Sequence, residues 1–269
     1  MTTEGTTEGT TEGQVLRVAA SVGQLFNVCY LLEASERDGN SVIVHLLKAT
    51  ARAGQLSAVR WLIDNSDPDC VRDGSCDTTC QVALEEGAEG GQMEIVKFFI
   101  KQGSSCLGSV FAAAARGAQY EMVRYLMTQD NYDPGDDLNC ALEGAAEGGQ
   151  LEMAQWLIEQ GATDINYAWE GAVTNGQLEM IRWLIEKHGA NDFNDGMNTA
   201  ACFGDLEVVK LMASEGANNF NTAMETAACF GHLEIVKLLA SKGANDFNAA
   251  IAAAHDPEII QWLTQQQSK

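Results

Sequence analysis

The sequence predicts an all-α fold of stacked helix-turn-helix repeats, and three observations carry that prediction. A block of 27 residues recurs almost unchanged, as FNDGMNTAACFGDLEVVKLMASEGANN at 193–219 and FNTAMETAACFGHLEIVKLLASKGAND at 220–246, and Phe247 opens another copy. Each block divides into two apolar segments of helical periodicity joined at a glycine, and no strand is predicted. An internal period of this length marks a repeat array, in which each unit buries its faces only against its neighbours.

The register extends upstream. Ile165, Leu138, Leu107 and Cys80 hold the place of Phe193, Ile43 continues the series after a longer insertion, and Glu12 would begin a degraded first unit. The array is therefore expected over 14–269 as about nine units, the last cut short, with loop inserts near 65–79 and 128–137. Residues 1–13, with three copies of Thr-Thr-Glu-Gly, contain no core formers and are expected to be a disordered tail.

The first helix of each unit follows an asparagine, at 139, 166, 194, 221 or 248, expected to act as N-cap. The apolar residue before it, such as Phe220, is expected to be buried at the joint. A large apolar residue comes next (Leu84, Phe111, Leu142, Trp169, Met197 or Met224), then two small ones such as Ala200-Ala201, which let helices approach closely. Glycine at 23, 54, 91, 149, 176, 204 and 231 makes the turn. The second helix opens with glutamate at 94, 121, 152, 179, 207, 234 or 258, which suits the positive end of the helix dipole and needs no catalytic explanation. Trp61, Trp156, Trp183 and Trp262 repeat at one position and read as packing. Glycine at 103, 161, 189, 216 and 243 closes the second helix in the left-handed cap position. The last second helix is expected to begin with Asp256 as cap and Pro257 in its first turn.

Composition excludes several classes of function. The net charge of −22 opposes binding to a phosphate backbone or an anionic membrane. No run of about 18 apolar residues is present, and the polar start is not a secretory signal. A reducing, cytoplasmic location follows as the expectation, and the eight cysteines read as reduced structural thiols, Cys140, Cys202 and Cys229 within helices and Cys29 on an apolar face. Cys70, Cys76 and Cys80 lack the fourth ligand and close pair of a structural zinc site. Asp130, Asp133, Asp136 and Asp137 lack the spacing of a calcium loop. Both inserts read as solvated loops. The four histidines have no paired nucleophile and no phosphate loop follows a strand, so neither catalytic residue nor cofactor is expected.

AACFGHLEIVKLLASKGAND at 227–246 resembles the ankyrin repeat, with its two small residues, glycine turn, Leu-Glu-Val-Val and closing Gly-Ala. The likeness covers about residues 14–263 and is strongest in the last three full units. It implies protein–protein recognition on a concave face without enzymatic activity. The usual unit is about 33 residues with a Thr-Pro-Leu-His stretch; here Asp195-Gly196-Met197-Asn198 stands in its place, so truncated β-hairpin fingers are expected. The short form, with its Asn-Asp-Phe-Asn joints, resembles ankyrin-related proteins of large DNA viruses of protists, which implies a host-protein partner in the host cytoplasm.

In such units the first helix lines the binding face. Early units offer Arg17, Lys48 and Arg52 there. Middle units offer Glu85, Glu89, Glu143, Glu147 and Glu170; late units add Glu225 and turn apolar at Cys202, Phe203, Cys229 and Phe230. Carboxylates of one sign attract a basic segment, and the aromatics would anchor an apolar side chain. The expected function is a non-catalytic protein-binding scaffold. Two alternatives share the scaffold: an adaptor for a ubiquitin ligase, which would have to use a repeat surface because only Thr264 to Lys269 follow the last predicted helix, and an acidic decoy of a nucleic-acid-binding protein.

Overall fold

The computed structural model describes residues 39–64, 78–103 and 106–268. The expected tail at 1–13, the unit opening at Glu12, and Arg17, Gly23, Cys29, Pro68, Cys70 and Cys76 lie outside the described residues. Sixteen helices in eight pairs make up the described chain, with no strand among the described residues.

The chain divides into two compact units, Met1–Ala145 with Glu152–Thr163, and Ala146–Leu151 with Asp164–Lys269. The first holds α1 (Gly39–Arg52) with α2 (Leu56–Asp64), α3 (Thr78–Glu89) with α4 (Met93–Lys101), and α5 (Leu107–Arg116) with α6 (Tyr120–Leu126). The division passes through α7 (Asp137–Glu147) and α8 (Leu151–Gln160). The second holds α9 (Ile165–Thr174) with α10 (Leu178–His188), α11 (Phe193–Phe203) with α12 (Leu206–Glu215), α13 (Phe220–Cys229) with α14 (Leu233–Ser241), and α15 (Phe247–Ala253) with α16 (Pro257–Gln267).

Within each unit the first helices form the principal packed row: α1 on α3 on α5 in one, α9 on α11 on α13 on α15 in the other. Leu84, Phe111, Leu142, Trp169, Met197 and Met224 are all buried, as are the alanine pairs that let these helices close up. Each second helix buries an apolar residue near its start and a large one about a turn further on, such as Val208 and Met212, or Ile235 and Leu239. Full burial of such a side chain stabilises by about 1.5–3 kcal/mol. Four of the carboxylates that open these helices pair with the base three residues on, among them Glu207 with Lys210 at 2.6 Å and Glu234 with Lys237 at 2.8 Å.

The turns use glycine for two reasons. Gly54, Gly91, Gly149, Gly176, Gly204 and Gly231 have φ between +66° and +85°, where a Cβ is strained. Most are also covered by a side chain of the next repeat. Gln92 Nε2 donates to the Arg52 carbonyl at 3.1 Å, Gln119 Nε2 to that of Glu89 at 3.2 Å, and Gln177 Nε2 to that of Glu147 at 2.8 Å, while His232 Nε2 lies 3.0 Å from the Cys202 carbonyl. These rungs satisfy orphan carbonyls at the C-terminal end of the preceding first helix. Ala118 alone holds the turn position without being glycine, at φ +54°.

In the first unit the second helices are laced by cations over rings of the following repeat: Arg60 over Phe98 at 4.9 Å, Lys97 over Tyr125 at 5.8 Å and Arg124 over Trp156 at 5.7 Å. Trp61, Trp156, Trp183 and Trp262 are half-buried, with an apolar body packed and one edge at the surface.

Four expectations need correction. The asparagines do not cap. The aspartate two residues earlier does so at Asp164, Asp192 and Asp246, because the helix already begins at the intervening Ile or Phe. Inside the first turn, the asparagine instead reaches the next joint: Asn194 Oδ1 accepts from the amides of Asn218 (2.8 Å) and Asn219 (3.2 Å), and Asn221 Oδ1 from those of Asn245 (2.7 Å) and Asp246 (3.0 Å). Asn139 does the same for Thr163 at 2.9 Å. Phe220 is half-buried rather than buried, since it stands at the helix start where the joint leaves one side open. The insert at 128–137 is not wholly solvated: Tyr132 stacks on buried Phe111 at 5.5 Å, and Asp137, 6% exposed, opens α7 and accepts from the Asp133 amide at 2.8 Å. Cys229 is exposed rather than slotted, because α15 is short and no rung from the last pair covers the end of α13.

Candidate functional site

Aligning the first helices by register places the proposed contact residues in three columns. The sixth position reads Glu85, Ala112, Glu143, Glu170, Asn198 and Glu225; the tenth reads Glu89, Arg116, Glu147, Thr174, Cys202 and Cys229; the next reads Gly90, Gly117, Gly148, Asn175, Phe203 and Phe230. The last column decides the character of the surface. A Cβ on Gly90 would lie 2.8 Å from the Arg52 carbonyl oxygen, and one on Gly117 would overlap that of Glu89, so a side chain is excluded at both. Two repeats of the second unit put phenylalanine there instead.

In the first unit the carboxylates are largely committed. Glu89 is held by Arg52 and by Arg116 at 3.5 Å, and Arg52 also reaches Glu86 at 3.4 Å. Glu85 accepts from Gln81 at 3.2 Å. Glu143, like Glu85 and Glu89, is half-buried. The arginines on α1 and α5 therefore offset much of the local negative field.

The second unit differs. Its first helices α9, α11, α13 and α15 carry Glu170, Asp195 and Glu225 and no lysine or arginine; the bases of the described unit lie on or after the second helices. Glu170 and Glu225 are exposed, and Glu147 is half-buried. Between the first two registers, Asn198 Oδ1 accepts from Thr226 Oγ1 at 2.7 Å, tying α11 to α13.

Every large exposed hydrophobic residue among those described sits on this same row: Tyr167 on α9 (42%), Phe203 ending α11 (60%) and Phe230 just past α13 (57%). None of the described ring contacts or cation–ring pairs involves them. Phe203 walls a shallow groove of roughly 450 Å³ with Thr174, Asn175 and Gly176 on one side and Asp205 and Glu207 on the other. Asp205 is fixed there as the α12 cap, accepting from the Glu207 and Val208 amides at 3.1 and 3.0 Å. Tyr167 was not picked out by sequence reasoning. Its column reads Val82, Ser109, Cys140, Asp195, Thr222 and Ala249 in sister repeats, a mixture that carries no clear signal for an exposed ring.

The family model described as "Ankyrin repeats (3 copies)" matches residues 84–168, 170–250 and 197–269. The chain belongs to the ankyrin-repeat family. Ankyrin repeats are protein–protein interaction scaffolds and in general carry no catalytic apparatus. The human ASB11 ankyrin repeat domain is a similar solved structure, at 18% identity and a TM-score of 0.47, covering 68% of this chain and 96% of that one. No curated protein matches by sequence. This ankyrin-repeat chain departs from the usual unit at its joints. Only residues 216–219 link α12 to α13, which leaves no room for a β-hairpin finger at that joint. Among the described residues no three His, Cys, Asp or Glu side chains are grouped to hold a metal, and no helix is long and apolar enough to cross a membrane.

Proposed function

We propose that this ankyrin-repeat protein is a non-catalytic binding scaffold whose second unit takes a basic, partly apolar segment of a protein partner along its first-helix row, the concave face of the family. The observation that carries this reading is the coincidence of two features on one row: exposed Glu170 and Glu225 on helices that carry no lysine or arginine, and three uncovered aromatic rings. Monomeric surfaces seldom leave large rings grouped in solvent without a binding role, and aromatic anchors ringed by polar groups are the usual form of a binding hot spot. Glu147, Glu170, Phe203, Glu225 and Phe230 are the contact residues in this unit. Glu85, Glu89 and Glu143 lie in the first unit, where Glu89 already holds two arginines.

Charge reversal tests the reading. Glu170→Lys with Glu225→Lys alters two exposed side chains of one column and is expected to leave the helical circular dichroism unchanged. Partners captured from cells by the native chain, identified by mass spectrometry, should be lost from the double variant at fixed salt. Equal recovery by both chains would refute the assignment. If the captured partners are nucleic-acid-binding proteins, the scaffold acts as an acidic decoy.

A further inference from the structure

Phe203 and Phe230 are equivalent side chains of adjacent repeats, and their separation constrains what can cover both. Helices α11 and α13 pack directly and are tied at both ends of this surface, by Thr226 to Asn198 at 2.7 Å and by His232 to the Cys202 carbonyl at 3.0 Å. Packed helix axes lie about 8–10 Å apart, so the two rings are offset by about that distance. A β-strand presents same-side residues at multiples of two, about 6.6 or 13 Å apart, and misses this spacing on either side. A polyproline II segment has three residues per turn at about 3.1 Å each, so residues i and i+3 face the same way about 9.3 Å apart.

Resting on the basic-segment reading above, we propose that the second unit recognises a polyproline II segment carrying two arginines three residues apart, one stacked on Phe203 and the other on Phe230. The choice of arginine follows from the site. A planar guanidinium lies flat on a ring and also meets carboxylates, and it sheds water more readily than an ammonium. Over Phe203 it would sit beside Asp205 and Glu207, which share the groove with that ring. The chain uses the same contact internally, with Arg60 over Phe98 at 4.9 Å. The first helices of this unit supply no cation of their own, so both rings are left for one from outside.

The test uses the full chain and two fluorescein-labelled proline-rich peptides of identical composition, one with its two arginines three residues apart, the other with them two apart. Fluorescence anisotropy at low salt should give about twofold to fivefold tighter binding for the three-residue spacing, the gain expected from one added stacked cation at an exposed ring. Phe203→Ala and Phe230→Ala should each erase that preference while the circular dichroism stays native. Equal affinity for the two peptides, each weakened by Glu170→Lys with Glu225→Lys, would overturn the spacing inference and leave the basic-segment reading standing. If neither peptide binds, both fall. A preference that survives both phenylalanine variants would place the arginines elsewhere and likewise overturn the inference.

Discussion

Replacing Asn221 by alanine removes one oxygen atom that holds two backbone amides of the following joint. Asn221 Oδ1 accepts from Asn245 at 2.7 Å and from Asp246 at 3.0 Å. A net hydrogen bond contributes about 0.5–1.5 kcal/mol, so the pair contributes about 1–3 kcal/mol. Asn245 and Asp246 are both exposed, so water recovers part of the loss and the lower half of that range applies. Alanine also favours the helix interior over asparagine by about 0.5 kcal/mol. The balance is a destabilisation of about 0.5–1.5 kcal/mol, located between α13 and α15. Urea denaturation should show a lower midpoint at unchanged slope, and hydrogen exchange should show faster exchange at the amides of Asn245 and Asp246 while the core amides of α13 keep their protection. Unchanged exchange at those two amides, or a variant more stable than the native chain, would refute the ladder as a source of inter-repeat stability.

Other perturbations follow from the same geometry. Ala118→Gly should raise the melting temperature, since an L-residue in the left-handed region costs about 1–2 kcal/mol and the added chain entropy returns only about half of that. Gly144→Ala should lower the urea midpoint despite its better helix propensity, because the new Cβ would overlap the backbone carbonyl of Ala112, which cannot swing aside; overpacking of this kind costs about 1–3 kcal/mol. Asp137→Asn tests pH linkage. Burial pushes the Asp137 carboxyl above the ordinary carboxylate range, and repulsion from Asp136 and Asp133 adds to this against the opposing Asp133 amide bond. A raised folded-state pKa gives stability that is present below the unfolded pKa and lost as pH rises through the folded one. The variant should therefore melt higher than the native chain at about pH 7, with the difference closing toward about pH 3, measured by thermal scans across that range.

What could be read from the sequence alone is what lies within one repeat. The large residues Leu84 to Met224, the alanine pairs, the turn glycines and the opening glutamates are fixed by helical periodicity and terminus chemistry over a few residues. The contacts between repeats were not legible in the same way. Asp246 and Asn248 are both good capping residues, and only the observed helix start at Phe247 assigns the cap to the aspartate and frees Asn248 for another bond. The glutamine rungs reach a carbonyl about thirty residues back (Gln119 to Glu89, Gln177 to Glu147), and nothing local to the Gly-Gln dipeptide reveals the acceptor.

The candidate site divides along the same line, and the division explains why its two halves differ. A carboxylate column is visible in the sequence, but its field depends on cations brought from other repeats. Glu89 lies within reach of Arg52 and Arg116, from α1 and α5. The first helices of the second unit have no such arginine. The phenylalanine column works the other way. Gly90, Gly117 and Gly148 show that half of the six aligned repeats keep this position empty, and the close carbonyls of Arg52 and Glu89 show why for the first two. A repeat that places a ring there must project it outward. Phe203 and Phe230 thus combine a departure from the repeat with exposure above one half, on a row whose helices carry no lysine or arginine. Stability selects against a large ring at a helix end in solvent unless something covers it, which makes these two positions, rather than the more numerous glutamates, the place where binding specificity is expected to reside.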